Sequence, residues 1–291
     1  MAVIEGQESF PGMPQPLFAA SPSRLLAFQD CPRRYRFQYL DRPTLQRRSQ
    51  RAHTSLGIAV HNALRDWWDM PIDQRTPGGG AALVERAWIS VGFRDGSQSA
   101  RWRERSKNAV AKYLEQVDPA AQPVGIERTV AFVTEGLRVS GRIDRLDDRG
   151  GELVVIDYKT SRVVPTADDA RTSLALGLYA AAVWKMFRRP ALRVELHHVP
   201  SGEVASHLHT PEGIARKVAQ ARGIARDAQR AEADLAALGE ESTAFPPSIG
   251  PLCTWCDFRA HCPQGQAVGP ERSDWAALEE DGPVPASAEV D

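Results

Sequence analysis

The chain has 291 residues, 42% of them hydrophobic, and a formal net charge of −1. This composition supports one large hydrophobic core or two modest ones, and no apolar run is long enough (about 18 residues) for a transmembrane helix. The first residues also lack the basic and apolar regions of a secretory signal, so we expect a soluble, cytoplasmic protein without a membrane partner.

Basic and acidic residues are unevenly distributed, although they almost cancel in the net charge. Residues 24–51 contain eight arginines and two acids, whereas residues 271–291 contain seven acids and one arginine. Segments of opposite charge can act separately, the basic one on nucleic acid and the acidic one on a partner or on solubility. The net charge therefore does not argue against a nucleic-acid partner.

The N-terminal half is predicted to be helical. Residues 1–20 contain Pro, Gly and Ser and are expected to form a flexible arm. The first helix begins at a serine cap and breaks at Pro32, because proline cannot continue a helix. In the strongest helix, Gly57 and His61 lie one turn apart. The predicted helices of this half are 21–40, 54–70, 80–93 and 99–117.

The C-terminal half begins with three consecutive strands, followed by a helix, two more strands and a long helix. The predicted strands are 124–133, 137–146, 152–160, 192–199 and 203–209, and the predicted helices are 168–188 and 211–238. A Pro- and Cys-rich segment follows at 244–263, and 264–291 is predicted to be a disordered acidic tail. This order predicts one α/β domain over residues 21–263, with a helical N-terminal region and a cysteine-stapled C-terminus.

One strand, VVIDYKTS, carries an acid and a lysine two residues apart. Asp157 and Lys159 fall on the same face because side chains of an extended chain alternate. Gly150 and Gly151 suit the two positive-φ positions of a hairpin turn. That turn places Asp144 opposite Asp157, with β-carbons about 4.5–5.5 Å apart.

Two carboxylates this close repel each other unless a proton or a cation lies between them. Hard oxygen ligands favour magnesium or manganese, and Lys159 would then orient a water or neutralise a phosphate. The alternative is a half-exposed hairpin whose charges are merely solvated. Glu127, on the preceding strand, could add a carboxylate, although an exposed strand glutamate needs no special role.

The motif GRID, followed twelve residues later by IDYKT, resembles the core of the PD-(D/E)XK nuclease superfamily. The upstream GIAVH, from Gly57 to His61, resembles the GxxxH motif of RecB-type exonucleases and of their CRISPR-associated iron–sulfur relatives. The resemblance implies a restriction-endonuclease-like core, in which helices flank a mixed central sheet. It also implies cleavage of DNA that depends on Mg²⁺ or Mn²⁺.

The resemblance assigns roles by position. The implied metal ligands are His61, Asp144, Asp157 and the carbonyl of Tyr158. Lys159 positions or activates the attacking water, and Tyr179 supports the substrate or the site. The family helix also carries a glutamine four residues before the tyrosine, where this chain has Ala175.

The four cysteines are Cys31 and the three of a C-x2-C-x5-C motif, Cys253, Cys256 and Cys262. Disulfides are not expected in a chain without an export signal, so four thiolates around a C-x-x-C core predict a metal or cluster site. Spacing alone leaves zinc and iron–sulfur open. The one-plus-three arrangement resembles the staple of RecB-like nucleases, which implies a structural [4Fe–4S] cluster, with structural Zn²⁺ as the alternative.

The stretch CPRRYRFQYL interleaves basic and aromatic residues. Arg33, Arg34 and Arg36 could follow phosphates while Tyr35 stacks on a base, as expected for single-stranded DNA or DNA ends. The alternative is an amphipathic helix with its aromatics in the core. Because the chain has no GxxxxGK[ST] loop, a helicase motor would have to be a partner protein.

Two functions remain open at this point. The first is a metal-dependent DNA nuclease, expected to be an exonuclease, in DNA repair, recombination or related DNA processing. The second is an iron–sulfur DNA-binding or scaffold subunit whose nuclease site is degenerate, which Ala175 would permit. A zinc-stapled interaction protein without a nucleic-acid role is a third and weaker interpretation.

Overall fold

The structure is a computed structural model that describes residues 17–279. Most of the predicted N-terminal arm and the last part of the predicted acidic tail lie outside these residues. The α-helices are α1 Pro22–Asp30, α2 Pro32–Tyr39, α3 Ala52–Asp69, α4 Pro77–Ala87, α5 Gly96–Leu114, α6 Ala167–Thr172, α7 Leu174–Phe187, α8 Pro211–Leu238 and α9 Pro263–Gln266. The strands are β1 Phe18–Ala20, β2 Gly125–Thr134, β3 Leu137–Arg149, β4 Glu152–Lys159, β5 Arg193–His198 and β6 Glu203–Leu208.

The six strands form one mixed sheet in the order β1-β3-β4-β5-β6, with β2 paired to β3. The pairs β1–β3 and β4–β5 are parallel and the others are antiparallel. Helices flank the sheet, so the predicted restriction-endonuclease-like α/β class is confirmed. On the edge of β3 opposite β2, β1 pairs with residues 137–139 and β4 with residues 145–149. Residues 140–144 therefore lie in a gap between two partner strands.

Core residues cover both faces of β4. Leu153 and Val155 belong to a first core cluster that includes residues of α1, α7 and α8. Val154 and Ile156 belong to a second core cluster that includes residues of α3, α4 and α5. A strand buried on both faces needs apolar residues at successive positions, which explains the continuous run LVVI.

Among residues 17–279, none of the helices has the length and apolar character needed to span a membrane.

The predicted break at Pro32 is confirmed and fixes the position of Cys31. Cys31 has an extended backbone, with φ −159° and ψ 104°, and separates α1 from α2. A residue that precedes proline disfavours the helical region because of its clash with the proline ring. Cys31 therefore lies in a corner between two short helices.

Two segments predicted to lack structure are ordered where the structure describes them. The arm prediction is wrong at its end, because Phe18 and Ala20 are buried in β1 beside β3. The tail prediction is wrong for residues 264–279. There Leu278 is buried in the second cluster, and Arg48 forms ion pairs with Glu271 and Asp274 at 2.6 and 2.7 Å. The tail is also tied to Arg48 and Ser49, more than 200 positions away, and local composition does not reveal such contacts.

Candidate active site

The β2–β3 hairpin carries a strained glutamate directly opposite an acid. The register places Glu127 opposite Asp144, and Glu127 has a left-handed backbone with φ 45°. Residues two apart on a regular strand share a face, but this alternation of side chains is interrupted in β3. Ile143 belongs to the first cluster, whereas Arg145 lies over the ring of Trp68 in the second cluster, on the other face of the sheet. A non-glycine residue in this region costs about 1–3 kcal/mol, and such strain is concentrated at functional sites.

The carboxylate of Asp144 fills the gap where β3 and β4 separate. The β3–β4 ladder ends at the pair Arg145–Ile156, and beyond it the Tyr158 amide donates to Asp144 Oδ2 at 2.7 Å. The ladder therefore stops one pair before Asp144 and Asp157, so the predicted pairing of these two residues is not formed. The hairpin register itself is confirmed, since the turn at Gly150 and Gly151 has φ of 62° and 97°.

Helix α3 brings His61 to the same carboxylate. Gly57 is buried, and a β-carbon there would lie 3.4 Å from Thr160 Oγ1 at the end of β4. A β-carbon at this distance makes an ordinary van der Waals contact, so the position accommodates a small residue without requiring glycine. His61 Nδ1 then lies 3.5 Å from Asp144 Oδ1, and its ring meets the ring of Tyr158 edge-on.

Three side chains converge in what we call the metal trio: His61, Glu127 and Asp144. One ligand atom from each lies within 4.8 Å of the others, which is the one such group of three found among residues 17–279. Asp157 is outside the trio and forms an ion pair with Lys159, whose Nζ lies 3.0 Å from Asp157 Oδ2. The structure thus gives Glu127 a more central place than sequence reasoning did.

A sequence signal could have found Glu127. The residues Glu135 and Gly136 form a two-residue turn, with Gly136 at φ 72° and Thr134 paired to Leu137. The same counting that placed Asp144 near Asp157 then places Glu127 opposite Asp144.

The acids of the site repel each other. Burial raises the pKa of Asp157, and the charge of Asp144 raises it further, although Lys159 opposes both. Burial and Asp144 likewise raise the pKa of Glu127. For His61, burial lowers the pKa, but hydrogen bonding and charge from Asp144 outweigh it and give a net rise. Crowded carboxylates beside an imidazole fit a divalent cation, which would neutralise them.

Tyr179 supports the strand that carries Asp144. Its ring is buried in the first cluster, and a β-carbon at Gly141 would lie 2.6 Å from Tyr179 Cε1. The glycine of GRID is therefore explained by the packing of this tyrosine against the β3 backbone. Ala175, at the position of the family glutamine, is partly buried against the same cluster.

Gly141→Ala is expected to lower the free energy of unfolding by about 1–3 kcal/mol, because the added methyl overpacks the contact with Tyr179. Urea unfolding would measure the change. The control is Gly223→Ala in α8, where a β-carbon meets nothing within 4 Å and the helix should gain about 0.5–1 kcal/mol. An equal cost of Gly141→Ala in a Tyr179→Ala background would show that Tyr179 is not the cause.

Cys31 lies beside the segment that holds the other three cysteines. Its Sγ accepts a hydrogen bond from the Ser248 amide at 3.4 Å, and Cys253 Sγ donates to the Ser248 carbonyl at 3.7 Å. The Gly265 amide donates to Cys262 Sγ at 3.4 Å. Within the described residues, no three cysteine sulfurs come within 4.8 Å of one another. The N- and C-terminal regions thus meet at the cysteines.

The residues proposed to bind nucleic acid are mostly engaged in the fold. Tyr35 is fully buried and its hydroxyl donates to Glu232, so the prediction that it stacks on a base is wrong. Its packing matches the alternative of an amphipathic helix with aromatics in the core. Arg36 pairs with Asp41, and Arg33 donates to Gln264 and to the Phe245 carbonyl. Arg34 is 37% exposed, with Asp30 at 3.9 Å.

Comparison with known proteins gives a family match. A model of the PD-(D/E)XK nuclease superfamily matches residues 19–263. A solved structure named "Putative exonuclease", from Eubacterium rectale, has 9% identity and a TM-score of 0.44, with 72% of this chain and 79% of that chain covered. The crystal structure of SSO0001 has 15% identity and a TM-score of 0.39, with coverage of 86% and 88%. No curated protein matches the chain.

Proposed function

The chain belongs to the PD-(D/E)XK nuclease superfamily, and from this premise we propose that it is a metal-dependent DNA nuclease. The observation that carries the proposal is the metal trio, which lies beside the ion pair of Asp157 and Lys159. Hydrolysis of a phosphodiester needs a site for a cation, a positioned water and positive charge near the phosphate. The chain has candidate residues for all three of these requirements.

His61, Glu127 and Asp144 would hold the cation, with Asp157 and the Tyr158 carbonyl as the further ligands that the family motif implies. A bound Mg²⁺ or Mn²⁺ supplies charge that polarises the scissile phosphate and lowers the pKa of a water. The Tyr158 amide holds one oxygen of Asp144, and this bond leaves the other oxygen near His61. The ligand is thus oriented before substrate arrives.

Lys159 would position the attacking water or neutralise charge on the phosphate. Its amine is held at 3.0 Å by Asp157, and both side chains are about one quarter exposed. An ammonium group carries three donors, so Lys159 would donate to a substrate oxygen from its place beside Asp157. Attack by the water would form a new phosphorus–oxygen bond as the bond to the leaving oxygen breaks. The proton lost by the water would pass to solvent, and the leaving oxygen would take up a proton from solvent.

We further propose exonuclease action in DNA repair, recombination or related processing, as the RecB-type resemblance implies. The four cysteines would hold a [4Fe–4S] cluster rather than zinc. The one-plus-three arrangement of the cysteines supports this proposal, since Cys31 contacts the segment that carries the other three through the Ser248 amide.

The test is an anaerobic cleavage assay on end-labelled single- and double-stranded DNA with Mg²⁺ or Mn²⁺. We expect cleavage with the metal and none with EDTA, and the product lengths would separate exonuclease from endonuclease action. DNA binding without cutting would instead favour the degenerate subunit that Ala175 permits. Cutting that persists in EDTA would overturn the assignment of the metal.

Glu127→Gln is expected to weaken Mn²⁺ binding at least about tenfold, because even changes around the ligands of a metal site cost 10- to 100-fold. Calorimetry or Mn²⁺ electron paramagnetic resonance without DNA would measure it. The control is Glu203→Gln, an exposed glutamate on β6. If Glu127→Gln left the affinity unchanged while Asp157→Asn lowered it, the ligand set inferred from sequence would be right instead.

A further inference from the structure

One face of the β2–β3 hairpin is open to solvent. Leu137 and Val139 turn one face of β3 into the first core cluster. Arg138, Ser140 and Arg142 lie on the opposite face of β3. We call these three residues the basic track. Both arginines are exposed and Ser140 is half-buried.

The basic track begins at the metal trio. Arg142 Nε lies 2.7 Å from Glu127 Oε2, while 68% of the Arg142 side chain is exposed. At the other end, the Arg138 guanidinium makes no hydrogen bond or ion pair within the part of the chain that the structure describes. A free cationic group on the same face as a candidate catalytic centre is available for an anionic ligand.

A second row lies beside the basic track. The register pairs Arg142 with Thr129, Ser140 with Ala131 and Arg138 with Val133. Paired side chains on one face lie about 4.5–5.5 Å apart. This second row is small or apolar, and Val133 is 58% exposed. The open face is therefore basic along one strand and apolar along its neighbour.

We propose that this face binds single-stranded DNA and directs it to the metal trio. Alternate residues of a strand are about 6.8 Å apart, similar to the separation of consecutive phosphates in an extended single strand. Arg142 and Arg138 would contact phosphates two nucleotides apart, with Ser140 donating to the phosphate between them. Sugars and bases would lie over Thr129 and Val133. This inference rests on the proposed nuclease function.

The apolar row favours a single strand over a duplex. A single strand presents phosphates on one side and exposed base faces on the other, which matches a basic row beside an apolar one. In a duplex the bases are stacked inside, so the second row would have little to contact.

The test measures binding to a fluorescent single-stranded oligonucleotide in EDTA, so that cleavage does not interfere. Arg138→Ala should weaken binding about five- to tenfold at low salt. It should also reduce the slope of log affinity against log salt by about 0.7, the value for one lost phosphate contact on a single strand. Arg138→Lys should restore the slope, and Arg138→Ala with Arg142→Ala should reduce it by about 1.4.

The control is Arg226→Ala, an exposed arginine of α8 between residues of the first cluster, on the other side of the sheet. An unchanged slope for Arg138→Ala, as for Arg226→Ala, would overturn the inference. So would equal weakening on a blunt duplex, or a wild-type protein that does not bind single strands. A wild-type protein that shows the expected binding to single strands but does not cleave DNA would refute only the nuclease function.

Discussion

Replacing Lys159 by alanine is expected to abolish metal-dependent cleavage, with a loss of about a hundredfold to ten-thousandfold in the rate. Lys159 forms an ion pair with Asp157, and its amine lies 3.0 Å from that carboxylate. Without it, neither the water nor the charge on the phosphate is held in place. Single-turnover cleavage with Mn²⁺ in excess would measure the chemical step apart from binding.

The matched control is Lys185→Ala, which removes an exposed lysine near the end of α7. Circular dichroism and the absorbance of the proposed cluster should be unchanged in both variants, because Lys159 is only partly buried and is far in sequence from the cysteines. Cleavage at the wild-type rate by Lys159→Ala would refute its role. An equal loss in Lys185→Ala would point to a non-specific effect.

Cys31→Ala is expected to remove the proposed iron–sulfur cluster and to lower the free energy of unfolding by about 3 kcal/mol or more. Cys31 lies 217 positions from Ser248, whose amide contacts its sulfur. A cross-link over so long a loop restrains the unfolded chain, and comparable covalent links contribute about 2–4 kcal/mol. Anaerobic purification, iron and sulfide analysis, visible absorption and thermal unfolding would measure both effects.

Ser248→Ala is the control for this prediction, since the amide of Ser248 rather than its hydroxyl contacts Cys31. This variant should keep both colour and stability. Stoichiometric zinc without iron in the anaerobically purified wild-type protein would contradict the cluster and favour the zinc alternative. Iron retained at full occupancy in Cys31→Ala would show that another residue completes the site.

Local sequence patterns predicted the bounds of an element correctly where residues close in sequence determine them. The helix α8 begins and ends where the sequence predicted, and the break at Pro32 follows from proline geometry. The predicted helix at 168–188 is instead two helices, because Ser173 caps the second through the Leu176 amide. A serine inside a helical pattern can be a cap or an exposed residue, and the sequence does not distinguish them.

The candidate site was only partly predictable, because tertiary contacts decide it. Register counting brings Asp144 and Asp157 together and could also have placed Glu127 opposite Asp144, but a glutamate gives no signal of the left-handed backbone found there. Tyr35 shows the same limit. An amphipathic helix and a DNA-binding helix share one pattern, and the contact that separates them is with Glu232, 197 positions away.

The segment that follows the cysteines has a practical consequence for any shortened version of the protein. The family match ends at residue 263, yet Leu278 beyond it is buried and its carbonyl accepts from the Trp102 indole at 3.0 Å. A fragment trimmed to the matched residues would uncover the apolar surface of α3 and α5. Such a fragment would be prone to aggregate, so the boundary of the family is not the boundary of the folding unit.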